Sequence, residues 1–124
     1  MHFFVAGSAV LLFTAQQGKP HVWFILTDPD GDNRVLAVML VTRRRHTDET
    51  TILAPGEYPF GNPVEGAIAY GETKLFPVNW LTDMVRKNKA RMCEPLSSEL
   101  LARVLAGIKV SGHVPNWVGE YFDP

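Results

Sequence analysis

The stretch PHVWFILTDPDGDNRVLAVMLVTRRRH, residues 20–46, decides the fold. It contains two apolar runs, at residues 22–26 and 35–42, that flank a turn-rich segment at 28–33. Proline, aspartate, asparagine and glycine dominate that segment, and Gly31 permits a positive φ there. A connection this short predicts that the two apolar strands pair antiparallel. Because both faces of each strand are apolar, we expect this hairpin to lie centrally in a sheet that is covered on both sides.

Further short strands are predicted on both sides of the hairpin. Runs of apolar and β-branched residues predict strands at residues 8–14, 21–27, 34–42, 50–53 and 67–76. Gly71 interrupts the last of these runs, and we expect a bulge there. The segment at 54–63 holds three prolines and two glycines, which predicts an irregular surface loop. Within it, Tyr58 and Phe60 are expected to point inward.

Helical patterns dominate the last third of the chain. Asn79 is expected to cap a short helix, and a basic connector at residues 86–91 follows it. Ser97 is expected to cap a second helix, whose apolar stripe at helical spacing consists of Leu100, Leu101, Val104, Leu105 and Ile108. One or two further helical turns are expected around Trp117.

Strands first and helices last predict a mainly β, α+β fold. We expect one domain over residues 1–124, with a strand-rich part at 1–78 and a helical closing segment at 79–124. The strand-rich part would be a small antiparallel barrel of five to six strands, packed against one or two helices. A chain of 124 residues has the length of a single domain and can bury one core without disulfides.

Composition and charge narrow the classes of function. A net charge of −1 excludes a globally basic nucleic-acid binder, so any contact with a polyanion needs a local patch. Cys93 is the only cysteine, which excludes an intrachain disulfide and fits a reducing cytoplasm, where we expect the protein. The apolar run at residues 3–13 has no preceding Lys or Arg, so we interpret it as a strand, with a secretion signal as the minor alternative. It is too short to cross a membrane as a helix.

Positive charge and histidine gather at the end of the hairpin that lies away from its turn. Lys19 precedes the second strand, His21 starts that strand, and Thr42 ends the third. Strands that pair through one turn bring their other ends together, so these residues are expected to lie close to one another. The third strand is followed directly by four further candidates, Arg43, Arg44, Arg45 and His46.

These residue types suit RNA cleavage by the 2′-hydroxyl. That reaction needs a base, an acid and positive charge at the phosphate. His21 and His46 are candidate acid–base groups because imidazole exchanges protons near neutral pH. The side chains that could hold the phosphate are Lys19, Arg43, Arg44 and Arg45.

Three segments resemble the MazF/PemK-like toxins: GKPHVWFILTDP at 18–29, VLAVMLVT at 35–42 and GAIAYGETKLFPVNWL at 66–81. In that family a G-x-R-P loop enters an apolar strand, a second strand ends in Thr or Ser, and a later segment precedes a closing helix. The likeness covers about residues 7–112. It implies an SH3-like barrel, usually a homodimer, that cleaves single-stranded RNA without a metal or other cofactor. It also implies an antitoxin partner whose flexible tail fills the RNA groove.

The resemblance assigns catalytic roles to two positions. The family's catalytic arginine sits just before the proline of its loop, where this chain has Lys19. Its catalytic Thr or Ser ends the third strand, at the position of Thr42. Lysine keeps the positive charge but lacks the bidentate fork with which arginine grips a phosphate.

Other interpretations of the same residues stay open. Lys19 favours a non-catalytic small-barrel module that binds protein, peptide or RNA, or a structural homodimer. A run of arginines such as 43–45 is also typical of a solvated loop. The acidic turn begins like a calcium loop, but its twelfth position is Met39 instead of a bidentate glutamate, so a plain turn is favoured. The histidines have no metal-site spacing, and no metal is expected.

Overall fold

Six antiparallel strands form one curled, half-barrel sheet, with three helices packed on it, in the part of the chain that the structure describes. This computed structural model describes residues 4–13, 19–60 and 62–122. The strands are β1 (Ala9–Leu12), β2 (His21–Ile25), β3 (Arg34–Thr42), β4 (Ile52–Leu53), β5 (Gly66–Pro77) and β6 (Ala90–Cys93). The helices are α1 (Val78–Arg86), α2 (Ser98–Ile108) and α3 (Asn116–Phe122). A mainly β sheet with C-terminal helices is thereby confirmed, with three helices where one or two were expected.

The predicted hairpin lies at the centre of the sheet. The strand order is β4-β5-β3-β2-β1-β6, and Trp23 of β2 lies opposite Met39 of β3. In the turn between them, the Asp30 carboxylate accepts the backbone N–H groups of Asp32 (2.8 Å) and Arg34 (2.9 Å). The positive φ of this turn belongs to Asn33, at 57°, and not to Gly31. Asparagine tolerates the left-handed region, which explains why glycine is not needed there.

Helices cover both faces of the sheet, as the two-sided apolar pattern predicts. Successive strand residues point to opposite faces, so each strand contributes to two clusters. One cluster joins the sheet to α2 and α3 and includes Phe24, Val38, Tyr70, Val104 and Val118. The other joins the opposite face to α1 and includes Trp23, Ile25, Met39 and Leu81.

The bulge and the second helix cap are confirmed. Ala37 lies opposite Lys74 and Met39 opposite Ala69, so the four residues 70–73 of β5 face one residue of β3. This bulge contains Gly71, and β5 continues through it. At the start of α2, Ser97 Oγ accepts the backbone N–H of Leu100 at 3.1 Å.

Two expectations for the last third of the chain are wrong. The connector at 86–91 is partly a strand, because β6 pairs with β1, with Ala90 opposite Leu12. Asn79 does not cap α1: the cap residue is Pro77, which makes no side-chain hydrogen bond. The helix follows β5 without a loop, so a proline at the junction fixes its start.

At the N-terminus, β1 covers the middle of the strand predicted at 8–14. Thr14 and residues 16–18 of the following loop lie outside the described residues. Across the described ranges, none of the helices has the length and hydrophobicity needed to span a membrane.

Candidate functional site

A groove at the end of the central strands brings three of the predicted site residues together. It has a volume of about 300 Å³, and its lining includes Lys19, His21 and Thr42. The register of the hairpin explains this proximity: continuing the β2–β3 pairing by a few residues places His21 beside Val41 and Pro20 beside Thr42. We call this feature the strand-end groove.

The floor of the strand-end groove is apolar and its rim is polar. Leu11 of β1 lies opposite Val22 of β2, and Leu40 of β3 continues the same row across the sheet. All three are buried and line the groove. On the rim, Lys19 and Thr42 are exposed and His21 is half-buried. The groove thus has an apolar floor next to an ammonium group, a hydroxyl and an imidazole.

Arg43 is paired with two carboxylates and is not among the residues that line the groove. Its guanidinium lies 2.7 Å from Glu65 Oε1 and 3.2 Å from Glu49 Oε1. The hydrogen bond that Arg43 donates to Glu65, followed by the one that it donates to Glu49, raises the pKa of Arg43 above its ordinary value. An arginine is protonated at any physiological pH, so the raised pKa does not change the charge of Arg43. The effect of the two ion pairs is that the glutamates neutralise this positive charge.

The remaining predicted residues, Arg44, Arg45 and His46, are exposed on the loop after β3 and do not line the groove. Of the seven candidate residues that the sequence predicts, three line the groove and the four that follow Thr42 do not. The strand ends do meet, but the chain turns away after Thr42. Arg44 and Arg45 have the exposure of a solvated loop.

The loop after β3 is fastened to the helical side of the molecule through Asp48. Its carboxylate accepts the hydroxyls of Ser111 (2.6 Å) and Thr50 (2.6 Å) and the backbone N–H of Thr50 (2.9 Å). Burial raises the pKa of Asp48, but these hydrogen bonds together outweigh burial and leave the pKa below its ordinary value of 3.8. His113 follows nearby, but Ser111 bonds the carboxylate directly, so the three residues are not arranged as a catalytic triad.

Asp48→Asn should lower the free energy of unfolding at pH 7 and should matter less in acid. The pKa of this carboxyl is lower in the folded than in the unfolded chain, so its contribution is complete above about pH 5 and is lost as the pH falls through the folded value. Urea unfolding at neutral pH and near pH 3 measures the two differences. Glu72→Gln, at an exposed position, is the control. An Asp48→Asn effect of equal size at both pH values would contradict the assignment.

The sequence did not single out Phe60 and Arg91 as neighbours. Phe60 lines the groove and is half-buried, and the guanidinium carbon of Arg91 lies 5.1 Å from its ring centroid. The inward direction of Tyr58 in the same loop is confirmed, since only 1% of this residue is exposed. Proline and glycine content marked the loop itself, but no pattern linked it to β6.

Lys19 and Thr42 can bind a phosphate, and the apolar floor can contact an apolar or planar group beside that phosphate. The His21 imidazole is a candidate acid or base toward the bound molecule. Across the described residues, no group of three or more His, Cys, Asp or Glu side chains could hold a metal ion. In the comparisons with known proteins, no family model, no curated protein and no solved structure matches the chain.

Proposed function

We propose that this chain is a MazF/PemK-like protein that binds single-stranded RNA in the strand-end groove and cleaves it without a metal. The observation that carries the proposal is the presence of Lys19, His21 and Thr42 around one groove. The curled six-stranded sheet supports the finer assignment to a diverged SH3-like barrel. The resemblance extends the proposal to a cytoplasmic homodimer and to an antitoxin segment that occupies the same groove.

The reaction would be transesterification by the RNA's own 2′-hydroxyl. His21 accepts the proton of that hydroxyl while its oxygen attacks the adjacent phosphorus. Lys19 stabilises the negative charge that develops on the phosphate oxygens, and the Thr42 hydroxyl donates a hydrogen bond to the same group. The bond from phosphorus to the 5′-oxygen breaks, and this oxygen takes a proton from water. The products are a 2′,3′-cyclic phosphate and a 5′-hydroxyl.

A non-catalytic binding module is the second candidate, and the state of Arg43 favours it. Arg43 is engaged by Glu49 and Glu65, and the groove presents a lysine where the resemblance calls for a bidentate arginine. One ammonium group holds a phosphate but constrains it less than a guanidinium fork does. A groove of this kind can bind a strand and leave it intact.

An RNA assay separates these candidates. Purified protein incubated with an unstructured RNA in EDTA should yield fragments that end in cyclic phosphate, detected by end-group analysis. Heat-inactivated protein and a parallel preparation of the His21→Ala variant control for contaminating nucleases. Intact RNA at high protein concentration would overturn the catalytic proposal. If the RNA is retained on a filter but uncut, the binding module is supported.

A further inference from the structure

Phe60 lines the strand-end groove, and the residues before and after Phe60 in its loop are held by contacts with the rest of the protein. Before it, the Tyr58 ring packs edge-on against Phe24, with ring centroids 5.0 Å apart, and the Tyr58 hydroxyl donates to the Glu94 carbonyl at 2.6 Å. After it, the buried Asn62 accepts the Tyr58 backbone N–H at 3.1 Å and donates to the Val64 carbonyl at 2.6 Å. Phe60 is therefore positioned before any ligand arrives, which lowers the entropic cost of binding.

Arg91 covers part of the Phe60 ring from the side of β6. Arg91 lies opposite Leu11, so it extends the row of side chains that forms the floor of the groove. Its guanidinium stacks on the ring at 5.1 Å, within the range of cation–π contacts. Within the described residues, Arg91 has no carboxylate partner, in contrast to Arg43, which has two. Its positive charge is therefore available to a phosphate.

We propose that Phe60 and Arg91 form a subsite for one unpaired nucleotide of the RNA. The base would stack on the part of the Phe60 ring that faces the groove, above the floor of Leu11 and Val22, and Arg91 would bind a phosphate flanking that nucleotide. This inference rests on the function proposed above. At about 300 Å³, the groove lies at the small end of ligand pockets, which suits one nucleotide and not a longer stretch.

The subsite would make the protein select single-stranded RNA. A ring that stacks on a base needs the face of that base, and in a duplex the faces are covered by neighbouring bases. Stacking also tolerates any base, because every base has a π face. The expected substrate class is therefore unpaired RNA with weak sequence preference at this nucleotide.

The test measures binding without cleavage. A short fluorescent 2′-O-methyl RNA cannot undergo attack by the 2′-oxygen, and its affinity is compared with that of a strand of equal charge carrying abasic sites. The wild-type protein should bind the strand with bases about 10- to 100-fold more tightly, the factor expected for one stacked base. Phe60→Leu should remove this preference, and Phe60→Trp should retain it. Arg91→Gln should weaken the binding of both strands and reduce the salt dependence by about one phosphate contact.

Phe122→Leu, at an aromatic residue of α3 outside the groove, is the matched control and should bind like the wild type. Thermal unfolding verifies that each variant is folded. If Phe60→Leu keeps the preference for bases while RNA still binds, the subsite is wrong and the proposed function stands. If the wild type neither binds nor cleaves RNA, both proposals fail.

Discussion

We expect Gly107→Ala to lower the free energy of unfolding by about 3 kcal/mol. Gly107 lies in α2 where the helix approaches the sheet, and a Cβ atom there would collide with the hydroxyls of Tyr70 and Thr51. It would also lie 2.7 Å from Tyr70 Cζ, a ring atom of a fully buried side chain. Alanine normally strengthens a helix by about 1 kcal/mol relative to glycine, so this loss would run against helix propensity.

The neighbours of Gly107 cannot move without breaking buried hydrogen bonds. The Tyr70 hydroxyl donates to the Val104 carbonyl at 2.8 Å and lies 2.7 Å from Thr51 Oγ1. Burial raises the pKa of Tyr70 to about 12, so the phenol stays protonated and keeps donating at neutral pH. A displaced Tyr70 would leave polar groups unpaired in the core, which costs about 1–3 kcal/mol for each buried group.

A second helical glycine provides a matched control for this prediction. Gly119 lies in α3, and a Cβ added there meets nothing within 4 Å. Gly119→Ala should therefore leave the stability unchanged or raise it by up to about 1 kcal/mol. Guanidinium unfolding of the two variants measures both effects. The double variant Gly107→Ala with Tyr70→Phe should recover part of the loss, since the hydroxyl is removed but Cζ stays. Equal stability of the two single variants would refute the close approach of α2.

The features that the sequence predicts well are those decided by neighbouring residues. The hairpin follows from two apolar runs and a turn only a few residues long, and β3 has the predicted bounds, residues 34–42. The Ser97 cap also depends on local contacts. Even the proximity of His21 and Thr42 is a local result, because strands that share one turn must meet again at their other ends.

The features that the sequence misses depend on partners far along the chain. β6 contains Arg91 and has a weak strand pattern, and it becomes a strand because β1, about eighty residues earlier, offers it a free edge. The two glutamates that neutralise Arg43 come from different loops. Trp80 illustrates the same limit: a tryptophan in a short amphipathic helix is typical of the core, yet Trp80 stacks on Phe76 and is 38% exposed.

The candidate site also has a part that neighbouring residues decide and a part that distant contacts decide. Val22 and Leu40 of its floor and the three rim residues follow from the central hairpin. Its boundary does not, because the path of the chain after Thr42 is set by Arg43 pairing with Glu65 and by Asp48 bonding to Ser111. His46, on the same loop, does not line the groove. The two histidines that the sequence treats as equivalent are therefore distinguished only by tertiary contacts.

His21→Ala should lower the rate of RNA cleavage by about 100- to 10,000-fold, the usual contribution of a positioned acid–base group. Among the described residues, His21 is the histidine that lines the strand-end groove. Its loss should reduce kcat more than it raises KM, because the imidazole acts on the proton of the 2′-hydroxyl and contributes little to holding the strand. Single-turnover cleavage of an unstructured RNA in EDTA, measured across pH 5 to 9, tests this expectation.

His46→Ala and His113→Ala are the matched controls, since both residues are exposed and neither lines the groove. Their rates should stay close to that of the wild type, and their pH profiles should be unchanged. Lys19→Ala should also lower the rate, because its ammonium group stabilises the negative charge that develops on the phosphate. A loss as large in His46→Ala as in His21→Ala would move the acid–base chemistry from the groove to the loop after β3. The comparison thus tests whether proximity in the folded chain, and not residue type alone, selects the catalytic histidine.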